Sequence, residues 1–318
     1  MLMLIIISCA GSKSDTNDPI LNNSSNTTNV NNNSNFNQTQ AYTFKNELVW
    51  SDEFDGESLS NINWNIETIP PNNGSWWNGE LQYYTKPSRK EAESNTTKNL
   101  FIEDGYLKIQ PIYRKDKSRI SSGEDAYNFT SARINTKNLK SFSYPSKISI
   151  CFKVPKGIGF WPAFWLMPSE DIRWPVGGEI DILENRGRIS NISSSALHFG
   201  KQWNKKSTLV GEALIPRQVR FQDKFHSISL VWKENVIAFY LDNSSDPYFT
   251  INSDHPEFQK YKYPFNRDYY MILNVAVGGK YDDYWVDFDA FCNDEECSNK
   301  EDPDSHRFII DWIEYERL

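Results

Sequence analysis

The chain lacks an excess of positive charge, a zinc-type ligand cluster and helical periodicity. Its 318 residues carry 34 Lys and Arg against 42 Asp and Glu, and no basic patch stands out, so we expect no nucleic-acid partner. The four cysteines and four histidines show no zinc-ligand spacing. What remains is an acidic chain with recurrent strand-like alternation, whose 38% of hydrophobic residues are enough for a full core.

Residues 1–9 form an apolar stretch that is too short to span a bilayer, for which a helix needs about 20 apolar residues. The stretch is similar to the end of an export signal, and Ile6-Ile7-Ser8-Cys9 resembles a bacterial lipoprotein cleavage box in which Cys9 is lipidated. Because no Lys or Arg precedes it, a generic secretion signal and a chance apolar N-terminus are alternatives. Residues 10–45, rich in Asn, Ser and Thr, are expected to form a flexible tether. We therefore expect a secreted or cell-surface lipoprotein, at a bacterial outer membrane, that contacts the membrane only through Cys9.

Residues 46–318 contain no linker or internal repeat, which predicts one large domain, expected to be a monomer. Within it, Cys292 and Cys297 share one acidic loop and could form a disulfide in an oxidising compartment. Cys151 falls in the middle of a predicted strand and is expected to be a small buried side chain.

Alternation of apolar and polar residues predicts an all-β fold. In residues 147–154, for example, Ile148, Ile150, Phe152 and Val154 occupy every second position. Further strands are predicted at 106–112, 179–184, 269–277 and 307–316, and two runs within 226–241 flank a hairpin turn at Lys233-Glu234-Asn235. Many strands separated by Gly, Pro, Asn and Asp turns favour an antiparallel sandwich.

Residues 177–187 place three carboxylates, Glu179, Asp181 and Glu184, inside one β-branched, apolar run. Strand alternation puts Glu179 and Asp181 on one face, and one bulged residue would bring Glu184 to the same side. Three neighbouring acids repel one another and raise at least one pKa, which is the arrangement that acid/base chemistry needs. The alternative, three acids on a solvated edge strand, does not account for the apolar residues between them.

Aromatic residues make up 14% of the chain, and many are clustered near the acids or in one other segment. The clusters contain Trp76, Trp77, Tyr83 and Tyr84, then Trp161 and Trp165, then Trp174. Sugars present apolar C–H faces ringed by hydroxyls, so a sugar-binding groove needs flat aromatic side chains with polar groups between them. Packing of Trp within the sandwich core is the alternative, and for Trp161 and Trp174 we favour the groove.

The pattern Glu-X-Asp-X-X-Glu, matched by Glu179, Asp181 and Glu184, resembles the motif of glycoside hydrolase family 16, and within it the laminarinase-like endo-β-1,3-glucanases. Further segments that resemble the family are 48–56, 78–85, 131–134, 157–168 and 273–279. The resemblance covers essentially all of 46–318 and implies a jelly-roll sandwich of two antiparallel sheets with a concave substrate-binding cleft. Residues 144–147 and the acidic, aromatic segment 280–305 depart from the family pattern. Because of the second departure, the resemblance defines neither the far edge of the cleft nor the substrate.

The resemblance implies a role for each acid. Glu179 is expected to be the nucleophile and Glu184 the acid/base, with Asp181 between them supporting both. The expected substrate-binding residues are Asn78, Arg133, Trp161, Trp165, Trp174 and His198. A satisfied core histidine is the alternative for His198, and a structural role is the alternative for Arg133 and Asn78.

The resemblance also implies one structural calcium ion, held by Glu53, Gly105 and Asp311, and no cofactor for catalysis. The function expected is retaining hydrolysis of β-1,3-glucan of the laminarin type. A relative acting on mixed β-1,3/1,4-glucan or an algal galactan is the enzymatic alternative, and a non-catalytic glycan-binding lipoprotein is the alternative outside enzymes.

Overall fold

Two large antiparallel sheets, packed face to face, form the protein in a computed structural model. The structure describes residues 47–70, 76–86, 98–114, 127–293 and 302–318. The predicted all-β sandwich is confirmed. The proposed signal segment, the tether and Cys297 lie outside the described residues, so the expectations about them stay predictions.

Nineteen strands are found in the described ranges. In chain order they are β1 (Glu47–Asp52), β2 (Asn65–Ile66), β3 (Gln82–Tyr84), β4 (Leu100–Glu103), β5 (Tyr106–Ile109), β6 (Ile112–Tyr113), β7 (Phe129–Ser131), β8 (Arg133–Asn135), β9 (Ser146–Lys153), β10 (Phe160–Pro168), β11 (Glu179–Glu184), β12 (Ile192–Gln202), β13 (Lys205–Leu214), β14 (His226–Lys233), β15 (Val236–Leu241), β16 (Phe249–Asn252), β17 (Tyr269–Val277), β18 (Cys292–Asn293) and β19 (Phe308–Arg317). The described ranges also contain one short α-helix, α1 (Pro256–Tyr261), and four 3₁₀ helices, at Trp77–Gly79, Lys280–Asp282, Phe288–Ala290 and Pro303–His306. No helix in these ranges has the length and apolarity that crossing a membrane requires.

The strands are arranged in two large sheets and one small one. Sheet I has the order β16-β15-β14-β9-β19-β5-β4, with β1 also paired to β19. Sheet II has the order β13-β12-β11-β10-β17-β8-β2. A small sheet, β18-β6-β7-β3, contains two parallel pairs and was not foreseen from the sequence.

Predicted and observed strands agree closely where alternation is strong. The strands predicted at 179–184 and 269–277 have those bounds in the structure. The hairpin turn between β14 and β15 contains Asn235 at φ 63°, a left-handed conformation that Asn tolerates. The single strand predicted at 106–112 is wrong, since it divides at Pro111, which has no N–H to continue the ladder. The first part joins sheet I and the second part joins the small sheet.

The core lies between the two sheets. Ile148, Ile150 and Phe152 of β9 point into it from sheet I, as the alternation predicted, and are fully buried. Phe160 and Phe164 of β10 enter it from sheet II. Each strand of sheet II turns one face toward the core. Its other side chains therefore lie on the outer face of the sheet, where polar groups can meet solvent or a ligand.

Two cysteines can be compared with the sequence predictions. Cys151 is fully buried, as expected, but it is disulfide-bonded and not simply a small side chain, because position along the chain does not tell which cysteines meet in space. Cys292 is also disulfide-bonded. Its proposed pairing with Cys297 stays a prediction.

Candidate active site

The three acids share one face of β11 because the strand contains an extra residue. Asp181 pairs with Ala196 of β12 and Glu184 pairs with Ser194, so two residues of β11, Ile182 and Leu183, lie opposite the single residue Ser195. The pairing with β10 shifts at the same place. The predicted bulge is therefore confirmed.

The bulge also explains the apolar pair between the acids. Ile182 and Leu183 are adjacent in sequence, yet both are fully buried in the core. In a regular strand one of them would face outward. With both turned inward, Glu184 emerges on the same side as Glu179 and Asp181.

Glu179 and Asp181 meet a histidine from the next strand. His198 of β12 pairs directly opposite Glu179, and its Nε2 lies 3.1 Å from Asp181 Oδ2 and 3.8 Å from Glu179 Oε1. Its Nδ1 lies 2.8 Å from Thr208 Oγ1 on β13, which fixes the ring. His198 thus contacts two of the three acids, and its predicted contact with substrate stays a prediction.

An indole N–H contacts each of the two outer acids. Trp174 Nε1 donates to Glu179 Oε2 at 2.9 Å, and Trp161 Nε1 donates to Glu184 Oε1 at 2.9 Å. Trp161 in turn stacks on Tyr281, with ring centroids 4.9 Å apart and an interplanar angle of 17°. Both tryptophans predicted to line a groove therefore hold a carboxylate in place.

Tyr281 is fixed by residues that sequence reasoning missed. The Arg186 guanidinium lies 4.1 Å from the centre of its ring, and Arg186 Nε donates to the Tyr281 carbonyl at 3.0 Å. Asp282, which is buried, accepts from Arg188 Nε at 2.9 Å and pairs with Arg186 at 3.5 Å. These contacts tie the 280–282 turn to the end of β11, so part of the segment 280–305 supports the acid site. The only signal in the sequence was the departure of that segment from the family pattern.

All three carboxyl groups hold their protons more tightly than usual. Burial, the largest cause, raises the pKa of Glu179, Asp181 and Glu184 to about 8 each. The nearby charge of Asp181 adds to the rise for both glutamates, while His198 opposes it. Lys206 opposes the rise for Asp181. Since the groups repel one another's charge, the cluster does not ionise fully at neutral pH and retains a proton for transfer.

The remaining predicted cleft residues are held by neighbours. Arg133 donates Nε to Glu67 Oε2 at 2.8 Å and lies between two indoles, 4.8 Å from the ring centre of Trp165 and 5.2 Å from that of Trp76. Trp165 Nε1 donates to Asn274 Oδ1 at 2.8 Å. Glu67 and Asn274 were not named as site residues from sequence, because nothing local marks their contacts with residues so distant along the chain.

Asn78 lies in an exposed turn at φ 68°. Its side chain contacts Glu80, whose pKa is raised by burial. The Asn78 carbonyl and the Trp161 ring both lie beside Gly279, so the turn is close to the tryptophan that contacts Glu184. The predicted contact of Asn78 with substrate stays a prediction.

The acid site is also the one group of three or more His, Cys, Asp or Glu in the described ranges whose ligand atoms lie within 4.8 Å of one another. It consists of Glu179, Asp181 and His198. Such a cluster could also hold a metal ion. Because an indole N–H donates to Glu179 and the carboxyls retain a proton, we interpret the cluster as a proton-transfer site.

Strand register brings the three predicted calcium ligands to the same part of β19. β1 pairs with β19 as far as Ile313, and β5 pairs with it as far as Ile310. Asp311 lies between these two pairings, where the register of β19 shifts, and is 2% exposed. Glu53 directly follows β1, and Gly105 directly precedes β5. Two carboxylates and a carbonyl are hard oxygen donors, so the residues present fit a calcium ion.

Comparisons with known proteins agree on one family. A model of the glycosyl hydrolases family 16 matches residues 108–286. Glucan endo-1,3-beta-glucosidase A1 of Niallia circulans is 33% identical over 250 residues, which are 74% of this chain but only 34% of that protein. Glucan endo-1,3-beta-glucosidase of Cryptopygus antarcticus is 34% identical over 242 residues, which are 74% of this chain and 81% of that protein. The X-ray structure of endo-beta-1,3-glucanase from Pyrococcus furiosus superposes with a TM-score of 0.69 at 28% identity, covering 86% of this chain and 94% of that one.

The raised pKa of Asp181 predicts a pH-dependent cost to folding. The unfolded chain ionises this group near pH 4, whereas the folded protein does so near pH 8, so its contribution destabilises the fold increasingly across that window. Asp181→Asn should therefore raise the free energy of unfolding at pH 8 by at least about 1 kcal/mol more than at pH 4. Urea unfolding followed by Trp fluorescence at both pH values measures this difference.

Asp289→Asn, at an exposed carboxylate, is the matched control and should show no such difference. An Asp181→Asn protein whose stability changes equally at both pH values would show that the Asp181 carboxyl ionises normally in the folded state.

Proposed function

Since the chain belongs to glycosyl hydrolase family 16, we propose that it is a retaining endo-β-glucanase that hydrolyses β-1,3-glucan of the laminarin type. The observation that carries the proposal is the bulged strand, which puts Glu179 and Glu184 on one face with Asp181 between them. The names of the two curated relatives, both endo-1,3-glucosidases, support the choice of linkage.

The two glutamates would act in two displacement steps. Ionised Glu179 attacks the anomeric carbon while Glu184 gives its proton to the leaving glycosidic oxygen, which forms a glycosyl-enzyme ester. Glu184, now ionised, then takes a proton from water, and the resulting hydroxide displaces Glu179 with net retention. The Trp174 N–H stabilises the charged form of Glu179. Trp161 contacts only one oxygen of Glu184, which leaves the other oxygen to carry the proton.

The charged groups near the acids favour a neutral polymer, and not a sulfated one, as the substrate. A sulfated galactan would need cations that are available to its sulfates. Arg133 is paired with Glu67, Arg186 is held by Asp282 and Tyr281, and Lys206 contacts Thr208 Oγ1 at 3.2 Å. The cations closest to the acids are therefore already engaged, which favours β-glucan.

Substitution of each glutamate tests the proposal and separates the two roles. Glu179→Ser should abolish reducing-sugar release from laminarin and also hydrolysis of a β-glucoside oligomer with a dinitrophenyl leaving group. Glu184→Gln should lower kcat on laminarin by about 10²–10⁴, but by much less on the dinitrophenyl substrate, because that leaving group needs no proton. Steady-state kinetics on both substrates measure the difference.

Glu234→Gln, in the exposed hairpin turn far along sheet I, is the control and should keep wild-type rates. Lichenan and agarose are assayed in parallel. Cleavage of only one of those polymers would replace β-1,3-glucan by a mixed-linkage glucan or a galactan, and binding to a glucan without any cleavage would favour the glycan-binding protein.

We also propose that Glu53, Gly105 and Asp311 hold one calcium ion that stabilises the fold without taking part in catalysis. An ion that joins β1, β5 and β19 binds the folded chain only, so calcium at about 100 times its Kd should add about 2.7 kcal/mol to the free energy of unfolding. Thermal unfolding with calcium and with a chelator measures this, and Asp311→Asn should remove the difference while kcat stays unchanged at 25 °C. Equal melting of the chelated and calcium-loaded wild type would rule the ion out.

The position of the protein in the cell remains a proposal based on residues 1–45. We propose that Cys9 is lipidated and tethers a monomeric catalytic domain to the cell surface. Cys9→Ser should then move the glucanase activity from the membrane fraction to the soluble fraction of the cell envelope. Activity that stays in the same fraction after this change would exclude the anchor.

A further inference from the structure

A second groove lies on the opposite side of the molecule from the acids, on the outer face of sheet I. It has a volume of about 570 Å³, which is within the usual range for ligand pockets. Its lining comes from four adjacent strands, β15, β14, β9 and β19, and from the turn that follows β15. We call it the outer trough.

Side-chain size creates the trough. Its floor carries Ser149, Ser227 and Ser229 on the two central strands. Tyr240 of β15 forms the wall on one side, and Trp312 of β19 forms the wall on the other side. Because neighbouring strands lie about 4.8 Å apart, the two walls stand about 14 Å apart at the backbone. The space between them admits an extended chain running along the strands.

Strand register pairs each aromatic ring with a carboxylate across the trough. One cross-strand row runs from Tyr240 through Ser229 and Ser149 to Glu314. In the adjacent row, Asp242 lies beside Ser227, and the buried, disulfide-bonded Cys151 lies between Ser227 and Trp312 on the far wall. Rows on one face of a sheet are spaced about 6.8 Å apart, which is on the scale of one sugar unit.

Several polar groups of the trough have no partner among the described residues. Ser227 is 6% exposed, and its hydroxyl makes no hydrogen bond there, although its backbone N–H donates to Asp242 Oδ1. The Trp312 N–H, the Tyr240 hydroxyl and the Glu314 carboxylate likewise make no hydrogen bond in the ranges described. These four groups line the trough, and a ligand rich in hydroxyls could form hydrogen bonds with each of them.

The charges in the trough exclude an anionic ligand. Asp242 is held by His226 Nδ1 at 3.0 Å, and Lys147 is paired with Glu316 at 3.0 Å. Glu314 adds a carboxylate, whose pKa is raised by burial and by Glu316. Two aromatic rings, neutral hydroxyls and acceptor carboxylates match the C–H faces and hydroxyl rims of a neutral sugar chain.

We propose that the outer trough is a second, non-catalytic site that binds a neutral glucan chain, with Trp312 and Tyr240 as its aromatic contacts. The identity of the glucan as the enzyme's own substrate rests on the proposed function, whereas the binding of a neutral glycan does not. A chain held there would keep the enzyme on an insoluble polymer while the cleft on sheet II acts on another chain.

The test measures binding to insoluble β-1,3-glucan by depletion from solution at 4 °C, in a Glu179→Ser background that leaves the polymer intact. Trp312→Ala and Tyr240→Ala should each weaken binding by about threefold to tenfold, the effect of losing one aromatic contact. Ser227→Leu, which fills the floor without removing a wall, should weaken it as well. Phe225→Ala is the control, because Phe225 packs on Tyr106 outside the trough.

The same substitutions in the active protein should leave kcat/KM on a short soluble laminari-oligosaccharide unchanged, which also shows that each variant is folded. If all three trough variants bind insoluble glucan as tightly as the parent protein does, the proposal that the trough binds glucan is wrong. If the active protein cleaves no glucan, the proposed function fails, and the trough is then judged by the same depletion assay with agarose and lichenan. Loss of binding in the trough variants but not in Phe225→Ala supports a glycan site, and uniform binding overturns it.

Discussion

The extra residue in β11 is the constraint on which the candidate site depends. A regular strand that buried Ile180 and Ile182 would turn Glu184 to the core and Leu183 to the face of Glu179 and Asp181. By turning Leu183 inward beside Ile182, the bulge satisfies the core and the site together. The apolar contacts that hold the two sheets together therefore also fix the direction in which the second glutamate points.

That solution has an energetic cost. Three carboxyls at the open face of sheet II, partly covered by indoles, have raised pKa values because burial disfavours their charged forms. The same burial makes proton transfer possible, since a cluster of carboxyls that ionised freely at neutral pH would hold no proton for a leaving group. Trp174 and Trp161 each donate one hydrogen bond, so each lowers the pKa of one glutamate without pairing it with a full charge.

The parts of the structure that follow from local pattern could be predicted from the sequence. The bounds of β11 and its bulge depend on alternation over a few residues, whereas the site role of His198 was expected from the family resemblance. The support behind Trp161 could not be predicted, because it joins Arg186 to a turn 95 positions later in the chain. The split at Pro111 was also missed, although proline's missing N–H gave a local reason for it.

The two faces of the sandwich differ in what constrains them. On its inner face, sheet I must fill the core, and Ile148, Ile150 and Leu230 are fully buried there. On its outer face, the positions that line the trough meet no other sheet in the described ranges. Packing between the sheets therefore does not explain why serines form the floor between Tyr240 on one wall and Trp312 on the other. Ser227 makes no side-chain hydrogen bond among the described residues, so its hydroxyl is available to a ligand in the trough.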